Sequence, residues 1–412
     1  MKMNINEIMK HALSALIISS ASTMAFAKVP QVGDVIDASN VDQYSEYLIE
    51  SAIALVKQGQ VLKVTPTSEK GSLSNPEFLQ ITEANKGKAR ILDEYGTLGL
   101  EDGSPWIGGL PFPVAEKGIE VMVNYQFESL ALEGDDFGHG NGPNNPISRL
   151  SYVDKDGNIY KEATMGMTSM LMTGRSSGNP GHTVPGHEDE QLRRMLKFID
   201  PYDVKGIVSL DIQYRDQSKL PESYVYLPSF RRVRQVATAN RADALAGSDL
   251  TQADLGGFSD PLGLWKFKII KKGKMLVNVM SITPTVRYPK PITLHNKYFP
   301  QPQRQMELRE AYVIEATPRY DMVYGKKIMV FDAEVYRLSD AGFYDNSGKL
   351  YKGMQQDFAF YEGNGNHPIP SWMLAVNFQT GGATVFANID MVVNHYPSPT
   401  MLDKSEMKNL AR

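Results

Sequence analysis

Apolar and polar residues alternate with a period of two along much of this chain. Ile119, Val121, Val123, Tyr125 and Phe127 interleave with Glu120, Met122, Asn124, Gln126 and Glu128. Val208, Leu210, Ile212 and Tyr214 interleave with Ser209, Asp211, Gln213 and Arg215. Side chains of a strand point alternately to its two faces, so each run predicts a half-buried strand. The alternation returns at Trp265, Phe267 and Ile269 against Lys266 and Lys268, and at Met329, Phe331, Ala333 and Val335 within 326–338. It recurs at Trp372, Leu374, Val376 and Phe378, and from Val385 to Val393. Turn signals lie between the runs: Asp156-Gly157, Tyr344-Asp-Asn-Ser-Gly348 and Gly381-Gly382.

Helical spacing is rarer. Asn40 to Gly59 predicts a helix, with Asn40 as cap, Tyr44, Tyr47, Leu48, Ala52 and Leu55 on one side, and Gly59 after the last turn. His187 to Ile199 predicts another, acidic at its start, with Leu192, Met195, Leu196 and Ile199 on one face. Thr400-Met-Leu-Asp403 resembles a capping box for a short C-terminal helix. Residues 133–186 are rich in Gly, Asn, Pro and Met and predict long mobile loops flanking the Asp156-Gly157 hairpin.

About ten amphipathic strands with few helices between them must be antiparallel, and a flat sheet would leave its edges open. The expected fold is mainly β (α+β), a curved antiparallel sheet or incomplete β-barrel, with the helix at 40–59 over its mouth or concave face. The expected division is 1–27 as export signal and 28–118 as a helix and extended segment packing on the barrel. The barrel itself is 119–396, with 133–186 as a loop-rich insertion, and 397–412 is a tail or short helix.

Composition narrows the function classes. The 412 residues include no cysteine, which removes disulfides, thiolate metal sites and cysteine nucleophiles. A net charge of -4 argues against nucleic acid as a partner. Lys2 and Lys10, the apolar stretch His11–Met24 and Ala25-Phe26-Ala27 have the form of a secretory signal cleaved after Ala27. Beyond it no apolar run reaches the roughly 18–20 residues of a membrane helix. The expected location is the periplasm, as a protein that does not span the membrane.

The candidate chemistry centres on Tyr224 to Leu255. Arg231, Arg232 and Arg234 offer cations for an anionic head group or an acidic partner. The plainer alternative is an edge strand solvated by charge, or arginines paired with Asp249 and Asp254. Tyr224, Tyr226, Trp265 and Phe267 join the three arginines as candidate ligand- or partner-binding residues. Asp249 and Asp254 are either an acid/base pair or the turn and cap around Gly247. His139, His182 and His187, with the acidic run after His187, are weighed against plain loop histidines. Asp154-Lys-Asp-Gly-Asn158 reads better as a hairpin turn than as a calcium loop, because a later bidentate Glu is missing. Ser176 sits in a Gly-x-Ser-x-Gly string without the strand and helix that a nucleophile elbow requires. Met165, Met167, Met170 and Met172 suit either mutual packing or an irregular apolar ligand. No catalytic residue, metal or cofactor is assigned.

Five segments carry a family resemblance: Gly109-Leu-Pro-Phe-Pro113, Asp200-Pro-Tyr-Asp-Val-Lys-Gly206, Tyr226-Leu-Pro-Ser-Phe-Arg-Arg-Val-Arg234, Gly247-Ser-Asp-Leu250 with Asp254-Leu255, and Tyr344-Asp-Asn-Ser-Gly348. In this order they resemble the bacterial periplasmic family known as domain of unknown function 1329 (DUF1329). That family is itself similar to the outer-membrane lipoprotein-sorting proteins of LolA/LolB-like fold. The resemblance implies an incomplete antiparallel barrel with helices over its opening and an apolar lining, and it brings no catalytic residues. The expected function is a periplasmic carrier or chaperone for a lipid-like or lipoprotein acyl ligand. The alternative is a non-catalytic accessory protein of an envelope transporter or outer-membrane protein, and an exported hydrolase is a third class.

Overall fold

The computed structural model describes residues 27–412 except 129–130, 139–141, 178, 238–240, 242, 281–291 and 361–365. Residues 1–26 of the expected export signal therefore lie outside the described residues. In chain order the strands are β1 (Val35–Ile36), β2 (Leu62–Thr65), β3 (Arg90–Ile91), β4 (Leu98–Gly99), β5 (Asp136–Gly138), β6 (Ser148–Val153), β7 (Ile159–Leu171), β8 (Glu190–Asp200), β9 (Val208–Tyr214), β10 (Glu222–Leu227), β11 (Arg232–Val236), β12 (Trp265–Val277), β13 (Arg304–Pro318), β14 (Lys326–Asp332), β15 (Leu338–Tyr344), β16 (Leu350–Phe360), β17 (Pro368–Asn377), β18 (Ala383–Asn388) and β19 (Val392–Val393). The α-helices are α1 (Glu50–Lys57), α2 (Pro76–Asn85), α3 (Gly118–Glu128) and α4 (Met407–Leu410).

All strands but β3 and β4 join one seventeen-stranded sheet. Its main run is β12-β13-β14-β15-β16-β17-β18, then β6-β7-β8-β9-β10-β11. The two blocks of hairpins are joined where Ala383–Asn388 pairs with Ser148–Val153. Pairing is antiparallel except where Arg304–Glu307 runs parallel to Leu62–Thr65. The end strands β11 and β12 share no ladder, so the sheet curves without closing into a barrel. This agrees with the incomplete barrel that the alternation predicts. The hairpins at Asp156-Gly157, Tyr344–Gly348 and Gly381-Gly382 also form where expected. In the first, Asp154 Oδ1 accepts from the amides of Asp156 and Asn158, each at 2.9 Å, and Gly157 takes a φ of 90°.

Through its middle the sheet divides its side chains between two cores, while β11 and much of β12 are exposed. On the inner face Tyr312, Ile314, Met329, Phe331, Ala341, Phe343, Met373 and Phe386 belong to one large cluster. On the outer face Val313, Ile328, Val330 and Tyr344 meet α1 through Ala52 and Val56. The helix expected at 40–59 is broken. Val41–Tyr47 is a 3-10 turn and α1 starts only at Glu50. Asn40 does not cap it but ties the preceding loop, accepting from the Asp37 amide and donating to the Val35 carbonyl, each at 3.0 Å. Because α1 sits on the outer face, it does not cover the opening.

The inner face is covered instead by α3, in the segment whose alternation predicts a strand. Every described residue of α3 from Val121 onward is buried, so both its faces are in core and the period that marks an amphipathic helix is absent. Its polar residues are paired by protein rather than by water. Asn124 exchanges hydrogen bonds with the Phe112 amide (2.8 Å) and carbonyl (2.6 Å), and Gln126 accepts from Gln191 at 3.2 Å. The converse correction falls on 187–199, where the expected helix is strand β8. There Leu192, Leu196 and Phe198 face the inner core and Met195 the outer one, so a strand buried on both sides mimics helical spacing. The segment 133–186 is loop only in part: the described residues from Met172 onward do connect β7 to β8, but the rest is largely strand. It holds β5, β6 and β7, and β7 is fully buried from Ala163 onward. Thr400 forms no capping box, since its hydroxyl meets Ser398 Oγ at 2.8 Å. The C-terminal helix α4 begins later and covers the outer face of β9 and β10.

A buried charge cluster fixes the C-terminal end of α3. Arg337 is fully buried and donates from Nε to Glu128 Oε1 at 2.9 Å, from Nη1 to the Val279 carbonyl at 3.0 Å and from Nη2 to the Leu73 carbonyl at 2.5 Å. Glu133 lies 3.6 Å from the same guanidinium. Two buried carboxylates thus share one cation. Among the described residues Glu128 Oε2 and Glu133 Oε1 have no hydrogen-bond partner. Burial pushes the Glu128 carboxyl up to about 8; Arg337 pulls it down and Glu133 adds to the rise. The first turn of α3 is fixed sterically, because a Cβ on Gly118 would stand 2.7 Å from the Phe267 carbonyl oxygen on β12.

Two predictions follow from this anchoring. Gly118→Ala overpacks helix against strand backbone and should destabilise by roughly 1–3 kcal/mol in urea melts; an unchanged midpoint would show that the contact is not tight. For Glu128 the folded pKa lies above the ordinary glutamate value of 4.5, so the folded state binds the proton more tightly. Stability should therefore fall as pH climbs from about 4.5 to about 8. Glu128→Gln should flatten that slope and stabilise the protein at about pH 8 by on the order of 1–3 kcal/mol. A wild-type stability that stays level across this range rules out the raised pKa of Glu128.

Candidate functional site

Under the C-terminal end of α3, the inner faces of β7, β8 and β16–β18 leave a cavity of about 70 Å³. Its wall is mostly apolar, with Leu132, Phe137, Met165, Met167, Leu255, Met373, Phe386 and Met391, completed by Gly256 and Pro370. Four thioethers make a wall that adapts to irregular contents. Of the methionine group that the sequence singles out, Met165 and Met167 line this cavity, while Met170 and Met172 pack in the outer core beneath α4.

Three polar side chains complete the wall: Arg194, Gln356 and Asn388. Arg194 falls on the inward parity of β8, between Leu192 and Leu196, and is only 7% exposed. Its Nε donates to Ser169 Oγ at 2.9 Å and its Nη1 to Ser259 Oγ at 3.4 Å. Asp211 lies opposite it on β9, but that carboxylate accepts from Arg241 at 2.7 Å and from Ser223 at 2.8 Å. Among the described residues no carboxylate comes within ion-pairing distance of Arg194. Burial lowers its pKa, Asp211 raises it and Arg241 lowers it further. Gln356 is 2% exposed, and its Oε1 has no hydrogen-bond partner among the described residues.

The candidate residues from the sequence do not meet at one place. Arg231, Arg232 and Arg234 are at the open edge of the sheet, in and just before β11. Arg231 closes the turn with φ 50°, Arg232 and Arg234 are exposed, and Arg234 covers the Phe230 ring at 4.7 Å. None of the three pairs with Asp249 or Asp254. Tyr226 is buried in the outer core, and Tyr224 beside it lies beneath Lys404 at 4.2 Å. Trp265 is 1% exposed and donates to Asp260 at 3.1 Å. Phe267 is half-buried against Phe258, with ring centroids 5.5 Å apart.

Asp254 binds inside the protein. Lys327 lies at 3.2 Å, Tyr324 donates at 2.6 Å and Lys352 is 3.7 Å away. Burial pushes its carboxyl up, but the two lysines and the tyrosine outweigh that and hold it below the usual range. The Lys327 ammonium is fully buried among the rings of Phe258, Trp265, Tyr324 and Phe343, at 4.9–5.2 Å. Asp249 is held by Asn377 at 3.3 Å, and its amide donates to Thr384. The two aspartates thus stitch the 245–257 segment onto the inner face.

The histidines do not converge. His139 lies outside the described residues, His182 Nδ1 is 2.7 Å from the Arg175 carbonyl oxygen, and His187 meets Glu190 at 3.3 Å. Among the described residues no group of three His, Asp or Glu side chains could hold a metal ion. Ser176 Oγ accepts from the Gly109 amide at 3.1 Å, with no base bound to it among the described residues. Sequence reasoning missed Arg194 and Gln356. Arg194 stood on the polar side of an expected helix, and no local signal marked either residue.

Among the described residues no helix is long and apolar enough to cross a membrane. No functionally curated protein matches the chain. Several solved structures are similar to it at low identity, three of which follow. A candidate outer membrane lipoprotein-sorting protein domain from Vibrio parahaemolyticus is 18% identical, with a TM-score of 0.49, over 71% of this chain and 98% of its own. A DUF1329 family protein from Desulfovibrio piger is 15% identical, with a TM-score of 0.46, over 66% and 91%. A LolA superfamily protein from Nitrosomonas europaea is 13% identical, with a TM-score of 0.41, over 71% and 99%. The family model described as "Protein of unknown function (DUF1329)" matches residues 35–405, and the chain belongs to that family.

Proposed function

We propose that the protein is an exported, non-catalytic carrier that shields a hydrophobic molecule in the periplasm, on its way between the membranes of the bacterial envelope. The observation that carries this reading is the methionine-lined cavity on the inner face of an unclosed sheet. The secretory form of residues 1–27 supports the location. At about 70 Å³ the cavity is smaller than the roughly 300 Å³ at which ligand pockets begin, so uptake of a long chain requires the inner face to open. The parts able to yield are α3 and the Leu255–Gly256 turn, which the Tyr125 hydroxyl joins by donating to the Gly256 carbonyl. Each CH₂ taken from water contributes about 0.8 kcal/mol, and displacing α3 subtracts from that sum. Uptake and release can then stay close to balance.

Displacement of the neutral fluorophore N-phenylnaphthylamine by hexadecanol, with native mass spectrometry of protein from its own periplasm, tests the reading. Met373→Trp, which fills the cavity, should weaken the fluorophore by about tenfold, or 1.4 kcal/mol. A protein that neither binds the fluorophore nor carries lipid from its host is not a carrier.

A second reading, an accessory protein that docks on an envelope transporter or outer-membrane protein, is favoured by a different observation. The inner face is largely filled, and both end strands are cationic, with Arg231, Arg232 and Arg234 at β11 and Lys266, Lys268, Lys271, Lys272 and Lys274 on β12. Charged edges resist pairing with other strands, and here they also offer contact to an anionic surface. Replacing the three arginines by Glu should lower flotation with phosphatidylglycerol vesicles by about tenfold or more if they meet head groups. If flotation is unchanged while capture of an envelope protein is lost, an acidic protein surface is the contact. If neither changes, the arginines serve only to protect the edge.

A further inference from the structure

We propose that the cavity selects amphiphiles with a single anionic head, long-chain carboxylates, and that Arg194 binds the carboxylate. This rests on the carrier reading and deepens it. A buried guanidinium is expensive to desolvate and is normally matched by a carboxylate. The other buried arginines among the described residues follow that rule, each with a carboxylate within 4 Å: Arg175 and Arg149 at the long end, with Asp135 at 3.7 Å and Glu162 at 3.9 Å, and the other four at hydrogen-bond distance. Arg304 has Asp340 at 2.8 Å and Asp357 at 2.9 Å, Arg309 has Asp332 at 2.6 Å, Arg241 has Asp211 at 2.7 Å and Arg337 has Glu128 at 2.9 Å. Arg194 departs from it, with two serine hydroxyls as its described hydrogen-bond partners and the apolar cavity on its other side.

The geometry also favours a small head. Arg194 is the one cation in the described cavity wall, so a singly charged group balances it and a dianion does not. A guanidinium presents two parallel N–H donors, which match the two oxygens of a carboxylate. Gln356 on the same wall adds an amide, whose N–H can donate to the head. Met165, Met167, Met373 and Phe386 then receive the first methylenes of the chain. The large zwitterionic head of a phospholipid has neither the space nor the second charge partner here.

Competition against N-phenylnaphthylamine with hexadecanoate, methyl hexadecanoate and hexadecanol, at about neutral pH, tests the inference on the intact chain. Wild type should prefer hexadecanoate over hexadecanol by about tenfold or more. Arg194→Met should erase the preference and leave hexadecanol binding in place, while Arg194→Lys should keep part of it. Should Arg194→Met fail to fold, the wild-type series and Arg194→Lys still decide the matter. Equal affinity of wild type for acid, ester and alcohol overturns the headgroup assignment and leaves the carrier reading standing. Displacement by none of the three overturns both.

Discussion

The sheet is too long to leave its concave face in water and does not close on itself, so something must fill that face. Helix α3 meets this constraint, and much of the structure is arranged to hold it there. Its N-terminal turn presses against the backbone of β12. Its middle is tied by Asn124 to the Phe112 backbone and by Tyr125 to Gly256. Its end is fixed by Arg337, which reaches from β15's approach to Glu128 and Glu133. A helix buried on all sides must have every polar group satisfied by protein. The described contacts account for Asn124 and Gln126 but leave one Glu128 oxygen unpaired. An unmatched carboxylate oxygen therefore stands at the C-terminal end of the helix.

The outer face is built more conventionally. Helix α1 covers β13–β16 and helix α4 covers β9 and β10, each through a limited apolar stripe. Because both sides of the sheet are packed, the alternation of side chains separates an inner core from an outer core rather than protein from water. The cavity lies between the large inner cluster, with Met165, Met373 and Phe386, and a smaller one, with Leu132, Phe137, Met167 and Met391.

This explains what was legible in the sequence. The unclosed, mainly β architecture and three hairpins could be read from alternation and turn residues, since Asp156-Gly157, Tyr344–Gly348 and Gly381-Gly382 act locally. Segments buried on both faces could not. At 119–127 a helix buried from Val121 onward happened to place its large apolar residues at every second position, and at 192–199 a largely buried strand spaced them like a helix. The cavity was half legible. Met165 and Met167 stood out by composition. Arg194, Gln356 and Met373 come from strands far apart in sequence, and only the register of β7, β8, β16 and β17 brings them to one wall. The aspartates at 249 and 254 looked like chemistry in a loop, yet they fasten that loop to lysines on β14 and β16.

The pairing of β6 with β18 joins residues 148–153 to 383–388. Between these two ladders lies most of the barrel sequence, so neither hairpin block can be sealed to the other until nearly the whole chain is present. A parallel contact of the same kind sets Leu62 beside Arg304. Contacts this distant close slowly, because the loop entropy must be met before they form. A nascent chain of this topology keeps its two hairpin blocks unsealed for as long as its C-terminal strands are missing. Completion of the sheet is thereby deferred to the end of synthesis.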